Sequence, residues 1–128
     1  MNPTKIWANL GVNNLERTTR FYTELGFKPN GNSNELTSFK VGENDFVIHF
    51  FLKEILSKNV KTDIADLKHG KEIIFSLSAQ SREETDRWAE EVIKAGGTVV
   101  SVPEEFGNGY YGFVFADPDG HTFNVFYM

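Results

Sequence analysis

The feature that most constrains the fold is a repeat within the chain. A strand, a capped helix, a glycine and then further strands occur in that order twice, over about 4–52 and 71–128. The segment 53–70 is polar and lacks periodicity, so we predict a connector with at most a helical turn. A half-repeat with one helix cannot cover both faces of its sheet, so two halves, or two chains, must share a core or a cleft. The repeat therefore predicts one domain, 1–128, built from two βαβββ modules.

Capping signals place both helices. Asn14 is a suitable N-cap for a helix that ends at Gly26. Ser81 and Glu84 have the spacing of a capping box, and Gly96 follows the second helix. The apolar positions between these signals recur every three or four residues, as expected for one buried helix face.

Alternation and turn residues predict the strands. The predicted strand segments are 5–12, 27–29, 36–41, 45–52, 71–78, 98–102 and a closing hairpin over 112–128. We predict that the strand from 98 ends at Pro103 and that a loop follows over 104–111. The closing hairpin turns at DPDG, 117–120, which suits a type I turn.

Composition excludes several classes of function. The net charge is -5 and no basic cluster occurs, so a nucleic-acid partner is not expected. There is no cysteine, which rules out disulfides, thiolate catalysis and cysteine metal sites. No apolar run suits a signal peptide or a membrane span, so we expect a soluble cytoplasmic protein. Twelve phenylalanines predict a core and a cavity rich in rings.

Several motifs resemble one family. The segments 9–17 (NLGVNNLER) and 21–27 (FYTELGF) resemble the opening module of the vicinal oxygen chelate superfamily. The superfamily includes glyoxalase I, extradiol dioxygenases and bleomycin-resistance proteins. The segment 117–121 (DPDGH) resembles its closing hairpin, and 81–84 and 95–98 fit its second module. The likeness is greatest to predicted lactoylglutathione lyases. It implies an α+β fold in which two modules curl mixed sheets around a cleft, and it implies a homodimer.

The resemblance also implies a place for a metal. Enzymes of the family hold a divalent ion with side chains, usually His and Glu, from the first and last strand of each module. The matching positions here are Trp7, His49, Glu72 and Asn124. Trp cannot ligate a metal, and an Asn amide is weak for a transition metal. Two strong ligands fall short of the usual three, so we predict no metal and no other cofactor.

Each candidate residue has a structural and a functional interpretation. His49 is either hydrogen-bonded within the sheet or acts on a ligand, as binder or general base. Glu72 is either a strand-end residue in water or a general base and partner for a cationic group. Trp7 is either core or dimer-contact material or a platform for a flat ligand.

Further ligand contacts are predicted around these positions. Asn9 and Phe126 are candidate contacts, and Asn124 is expected to hydrogen-bond to ligand or to Glu72. Tyr110 and Tyr111 form either a mobile lid over the cleft or ordinary packing at a strand start. Together with the positions above they form one candidate site: Trp7, Asn9, His49, Glu72, Tyr110, Tyr111, Asn124 and Phe126.

Three functions remain open. The first is a metal-free protein that binds a small, flat or cationic molecule in an aromatic cleft. The second is a metal-dependent lyase or isomerase like glyoxalase I, with Glu72 as the base. The third is a structural or interaction role in which the cleft is filled by its own side chains.

Overall fold

The computed structural model describes residues 1–128, which form an α+β fold of two compact units, Met1–Ala65 and Asp66–Met128. The elements of the first unit are β1 (Trp7–Val12), α1 (Leu15–Glu24), β2 (Lys28–Asn32), β3 (Leu36–Val41), β4 (Phe46–Leu52) and α2 (Lys53–Val60). Those of the second are a 3-10 turn (Leu67–His69), β5 (Phe75–Ser78), α3 (Arg82–Lys94), β6 (Thr98–Phe106), β7 (Tyr110–Ala116) and β8 (Thr122–Tyr127).

Each unit contains one four-stranded mixed sheet. The strand orders are β1-β4-β3-β2 and β5-β8-β7-β6, so the second sheet repeats the topology of the first. In each sheet the first and last strands of the unit are parallel neighbours, and the other pairs are antiparallel. The predicted βαβββ repeat is confirmed. No helix is long and apolar enough to cross a membrane.

The core of the first unit is a cluster of rings between α1 and one face of the sheet. Tyr22 stacks on Phe50 with ring centroids 4.5 Å apart and meets Phe39 at 5.7 Å. Phe21 meets Tyr22 edge-on at 4.9 Å, and all four rings are fully buried. The predicted cap is present, because the Asn14 side chain accepts a hydrogen bond from the Arg17 amide at 2.9 Å.

The second unit repeats this packing with different residues. Phe115 stacks on Phe123 at 5.1 Å and on Phe113 at 5.8 Å. Trp88 of α3 lies 6.4 Å from the Phe115 ring, so the helix covers this face of the sheet. The Ser81 hydroxyl caps α3 by accepting the Glu84 amide at 3.0 Å.

The closing turn has the predicted geometry. The Gly120 amide donates to the Asp117 carbonyl at 3.0 Å, as in a type I turn. The Asp117 side chain, only 3% exposed, accepts hydrogen bonds from the Asp119 and His121 amides at 2.9 Å each. One buried carboxylate therefore orients the start of β8.

Several strand predictions were wrong in their bounds, and the largest differences are in β5 and β6. β5 begins at Phe75, not at 71, because in the β5–β8 register residues 71–73 lie opposite 119–121, which precede β8. β6 continues past Pro103 to Phe106. Proline is tolerated there because β6 is an edge strand and its register shifts between Ser101 and Glu104.

The predicted connector contains a helix. α2 has no side-chain cap at Leu52 and ends at Val60, and its C-cap residue Lys61 adopts a left-handed φ of 59° without being glycine. Neither of the usual helix signals is therefore present in the sequence. Leu56 is the buried residue of this helix.

β2 is longer than the predicted segment 27–29, because it extends to Asn32.

Candidate functional site

The open face of the first sheet, opposite α1, carries three of the predicted site residues. In the parallel pair β1–β4, Asn9 is the register partner of His49 and Trp7 is the partner of Val47. Because side chains alternate along strands, Trp7, Asn9 and His49 point to the same face. The adjacent β4 residues Ile48 and Phe50 point the other way, into the ring core.

A pocket of about 620 Å³ lies at this face, entirely within the first unit. The side chains most relevant to binding in it are Trp7, Asn30, Asp45, Val47 and His49. Trp7 is 52% exposed, and His49 is half-buried. An exposed indole beside a half-buried imidazole offers a flat apolar surface next to a polar group.

A chain of hydrogen bonds supports His49 from behind. The Asn30 side-chain amide, Nδ2, donates to Ser38 Oγ at 3.0 Å. Ser38 Oγ lies 2.9 Å from His49 Nδ1. Ser38 is on β3, directly opposite His49 in the β3–β4 ladder. His49 also meets Phe51 edge-on at 6.0 Å, so both bonding and packing hold the imidazole ring.

The charged groups of this pocket lie at its rim. Lys5 and Asp45 both line the pocket and are exposed to solvent. Asp45 has a left-handed φ of 51°, which Asp tolerates better than most residues, and its amide donates to the Gly42 carbonyl at 3.2 Å. The β3–β4 turn therefore places a carboxylate at the pocket mouth.

Glu72, the predicted base, does not lie on a strand face. It precedes β5 and is exposed, which matches the structural interpretation of a residue in water. The prediction that Glu72 lies on this strand was wrong, because β5 begins only at Phe75. Asn124 is instead the register partner of Ser76, and its Nδ2 donates to Ser76 Oγ at 3.3 Å.

The two parallel pairs decide whether the family's metal fits. Ligands on neighbouring strands reach one ion most directly from partner positions on the same face. Those partner positions are Asn9 with His49 and Ser76 with Asn124. Trp7 therefore lies two residues before the partner position on β1, and Glu72 lies four residues before the one on β5. In the first unit the partner positions supply one amide and one imidazole, and in the second unit a hydroxyl and an amide; no three His, Cys, Asp or Glu side chains are grouped to hold an ion. These residues do not fit a transition metal.

The predicted loop 104–111 is a hairpin of β6 and β7, and its two tyrosines point to opposite faces. The Tyr111 hydroxyl donates to Asp86 of α3 at 2.6 Å, which raises the pKa of Tyr111. The Arg82 guanidinium lies 4.8 Å from the Tyr111 ring and bonds Glu105 of β6, which raises the pKa of Arg82. Tyr111 therefore connects the hairpin to α3.

Tyr110 lies on the other face of the second sheet with Phe126. Phe106 connects them, with ring centroids 5.8 Å from Tyr110 and 5.0 Å from Phe126. Both tyrosines begin β7, as the strand-start interpretation had it.

Sequence reasoning missed Asn30, Ser38 and Ser76. Counting outward from the Gly42 turn pairs Val41 with Phe46 and therefore Ser38 with His49, so the hairpin register held the signal. Asn30 lies within an irregularity of the β2–β3 register, between Pro29 and Asn32, that no local pattern reveals.

Comparisons with known proteins agree with this architecture. The sequence profile of the Glyoxalase/Bleomycin resistance protein/Dioxygenase superfamily matches residues 6–125. A hypothetical protein from S. aureus is 30% identical, with a TM-score of 0.88 over 100% of this chain and 96% of that chain. A glyoxalase-related enzyme from Fulvimarina pelagi is 22% identical, with a TM-score of 0.87 over 98% of this chain and 89% of that one.

A lactoylglutathione lyase from Agrobacterium tumefaciens is 21% identical, with a TM-score of 0.73 over 98% of this chain and 95% of that chain. No curated protein matches the chain. At 22% and 21% identity, the likeness to the last two structures shows a shared fold and not a shared activity. The profile match over nearly the full length, together with the repeated βαβββ units, identifies the chain as a member of the glyoxalase/bleomycin resistance protein/dioxygenase superfamily.

Proposed function

We propose that this chain binds a small, flat molecule without a metal, in the pocket beside Trp7 and His49. The observation that carries the proposal is the pocket itself, about 620 Å³, with an exposed indole and a half-buried imidazole in its lining. That volume is in the range of small-molecule sites. It favours binding over a structural role in which the chain's own side chains fill the space.

The chemistry of the lining favours a planar ligand. The Trp7 indole offers a face on which a ring can stack, and such ring contacts contribute about 0.5–1.5 kcal/mol beyond the area they bury. His49 and Asn30 supply polar groups in the same pocket, while Lys5 and Asp45 stand in solvent at its rim. The imidazole is therefore the polar group best placed to orient the ligand.

The alternative, a lactoylglutathione lyase-like activity with Glu72 as base, receives less support. Glu72 is exposed and lies outside β5, so no strand holds its carboxylate toward a substrate. No three His, Cys, Asp or Glu side chains are grouped to hold the divalent metal on which that chemistry rests in the resemblance. The homodimer implied by the resemblance remains a prediction.

Reciprocal tryptophan variants test the binding proposal. The chain has two tryptophans, so Trp88→Phe leaves Trp7 as the only indole reporter. We expect its fluorescence to change saturably with planar probes such as benzoate, benzamidine or quinoline. Isothermal titration calorimetry, which needs no indole reporter, should show that Trp7→Ala weakens the best probe about tenfold or more, because the stacking surface is lost.

The matched control is Trp7→Phe, in which Trp88 is the only reporter. Trp88 packs against Phe115 in the second unit and is not a lining residue of this pocket, so its fluorescence should not respond. A saturable response of Trp88 with none from Trp7 would place binding elsewhere. No response of either indole to any probe would refute the proposal.

A further inference from the structure

Ser38 connects two polar side chains and is itself only 3% exposed. A serine hydroxyl has one hydrogen to donate and two lone pairs to accept with. Asn30 Nδ2 occupies one lone pair, at 3.0 Å. The remaining neighbour is His49 Nδ1, at 2.9 Å. The hydrogen between Ser38 Oγ and His49 Nδ1 is carried by one of these two atoms.

The burial of Ser38 determines which atom donates in the hydrogen bond between Ser38 and His49. A buried hydroxyl hydrogen without an acceptor costs about 1–3 kcal/mol. Since the Asn30 amide nitrogen is a donor, His49 Nδ1 is the acceptor within reach of the Ser38 hydrogen. The Nδ1 atom must then be unprotonated in the neutral ring, and the ring proton resides on Nε2.

We propose that Ser38 and Asn30 are positioning residues that hold neutral His49 as the Nε2–H tautomer, so that the pocket presents a hydrogen-bond donor and selects ligands with an oxygen acceptor on a planar ring. The selection of a ligand rests on the proposed function, whereas the tautomer is a property of the free protein. An aromatic carboxylate satisfies both parts of the pocket, the ring on Trp7 and the oxygen on His49. An amidinium of the same shape offers donors alone and leaves Nε2–H without an acceptor.

Nitrogen-15 NMR of the ligand-free protein tests the tautomer directly. At a pH where the imidazole is neutral, the Nδ1 and Nε2 shifts of His49 should be those of the Nε2–H form. In Ser38→Ala the shifts should move toward a mixture of both tautomers. Ser78→Ala, an exposed serine on β5 of the second unit, is the matched control and should leave His49 unchanged.

Affinity for two probes of equal shape tests the selection. Benzoate should bind wild-type protein better than benzamidine, and Ser38→Ala should weaken benzoate about threefold to tenfold, the range of one hydrogen bond. Benzamidine should change less than twofold. Asn30→Ala should show a smaller shift in the same direction, because the hydroxyl then has a second orientation open to it.

The outcomes separate this inference from the proposed function. An Nδ1–H tautomer in wild type, or a tautomer unaffected by Ser38→Ala, overturns the positioning role even if both probes bind. Equal losses of benzoate and benzamidine affinity in Ser38→Ala overturn the selection. If neither probe binds although the tautomer responds as expected, the positioning role stands and the binding proposal fails. Thermal unfolding of each variant establishes that the fold is retained.

Discussion

Replacing Phe50 by alanine is expected to destabilise the chain by about 3–5 kcal/mol, the usual cost of deleting a fully buried aromatic side chain. Phe50 is fully buried, stacks on Tyr22 at 4.5 Å and meets Phe39 at 6.2 Å. Its removal opens a cavity at the contact between α1 and the first sheet, where the surrounding rings are too rigid to fill the space.

Chemical denaturation measures this cost, and Phe51→Ala is the matched control. Phe51 follows Phe50 on β4 but lies on the open face, where it is half-buried. We expect its loss to cost about 1 kcal/mol, near the centre of the range for ordinary substitutions. Equal costs for the two neighbours would contradict the assignment of faces on β4, and with it the location of the pocket.

Gly112→Ala is expected to lower the free energy of unfolding by about 3 kcal/mol or more, because it overcrowds a packed position where Phe50→Ala opens a cavity. A Cβ atom at this position would lie 2.3 Å from the Val125 carbonyl oxygen and 2.9 Å from the Phe126 ring. The carbonyl belongs to the neighbouring strand β8, so relief requires the β7–β8 ladder to move. The substitution also presses on Phe106, 3.2 Å away.

The same substitution at Gly11 provides the comparison for this prediction. A Cβ atom there would meet the side chains of Ile64 at 3.1 Å and Lys53 at 3.4 Å, which can shift. Gly11→Ala should therefore be destabilising by about 1 kcal/mol or less. A free energy of unfolding that falls more for Gly11→Ala than for Gly112→Ala would contradict the β7–β8 packing described above.

Local signals predicted the architecture well where each element carries its own. The signals at Asn14, Ser81 and Asp117 act on residues no more than four positions away, and each of these side chains makes the expected hydrogen bonds. α2 was missed because Leu52 gives it no cap and Lys61 ends it where glycine is usual. β5 was overextended because its length depends on where β8 begins, which is not local information.

The site was harder to predict than the fold because it depends on register between strands. The resemblance assigned Trp7 and His49 to one site, and the β1–β4 ladder places both of them, with Asn9, on the same face. The same reasoning failed for Glu72, since its strand does not reach that far. Ser38 was overlooked because it acts through a partner across a hairpin, eleven residues along the chain.

Binding measured with and without a chelator tests whether the pocket beside Trp7 and His49 binds its ligand without a metal. Benzoate is titrated into Trp88→Phe protein dialysed against EDTA, and into the same protein supplied with equimolar zinc, nickel or manganese. We expect the same dissociation constant in every case, because the paired strand positions at this face, Asn9 and His49, supply one amide and one imidazole. Binding that disappears with EDTA and returns with one equivalent of metal would contradict it.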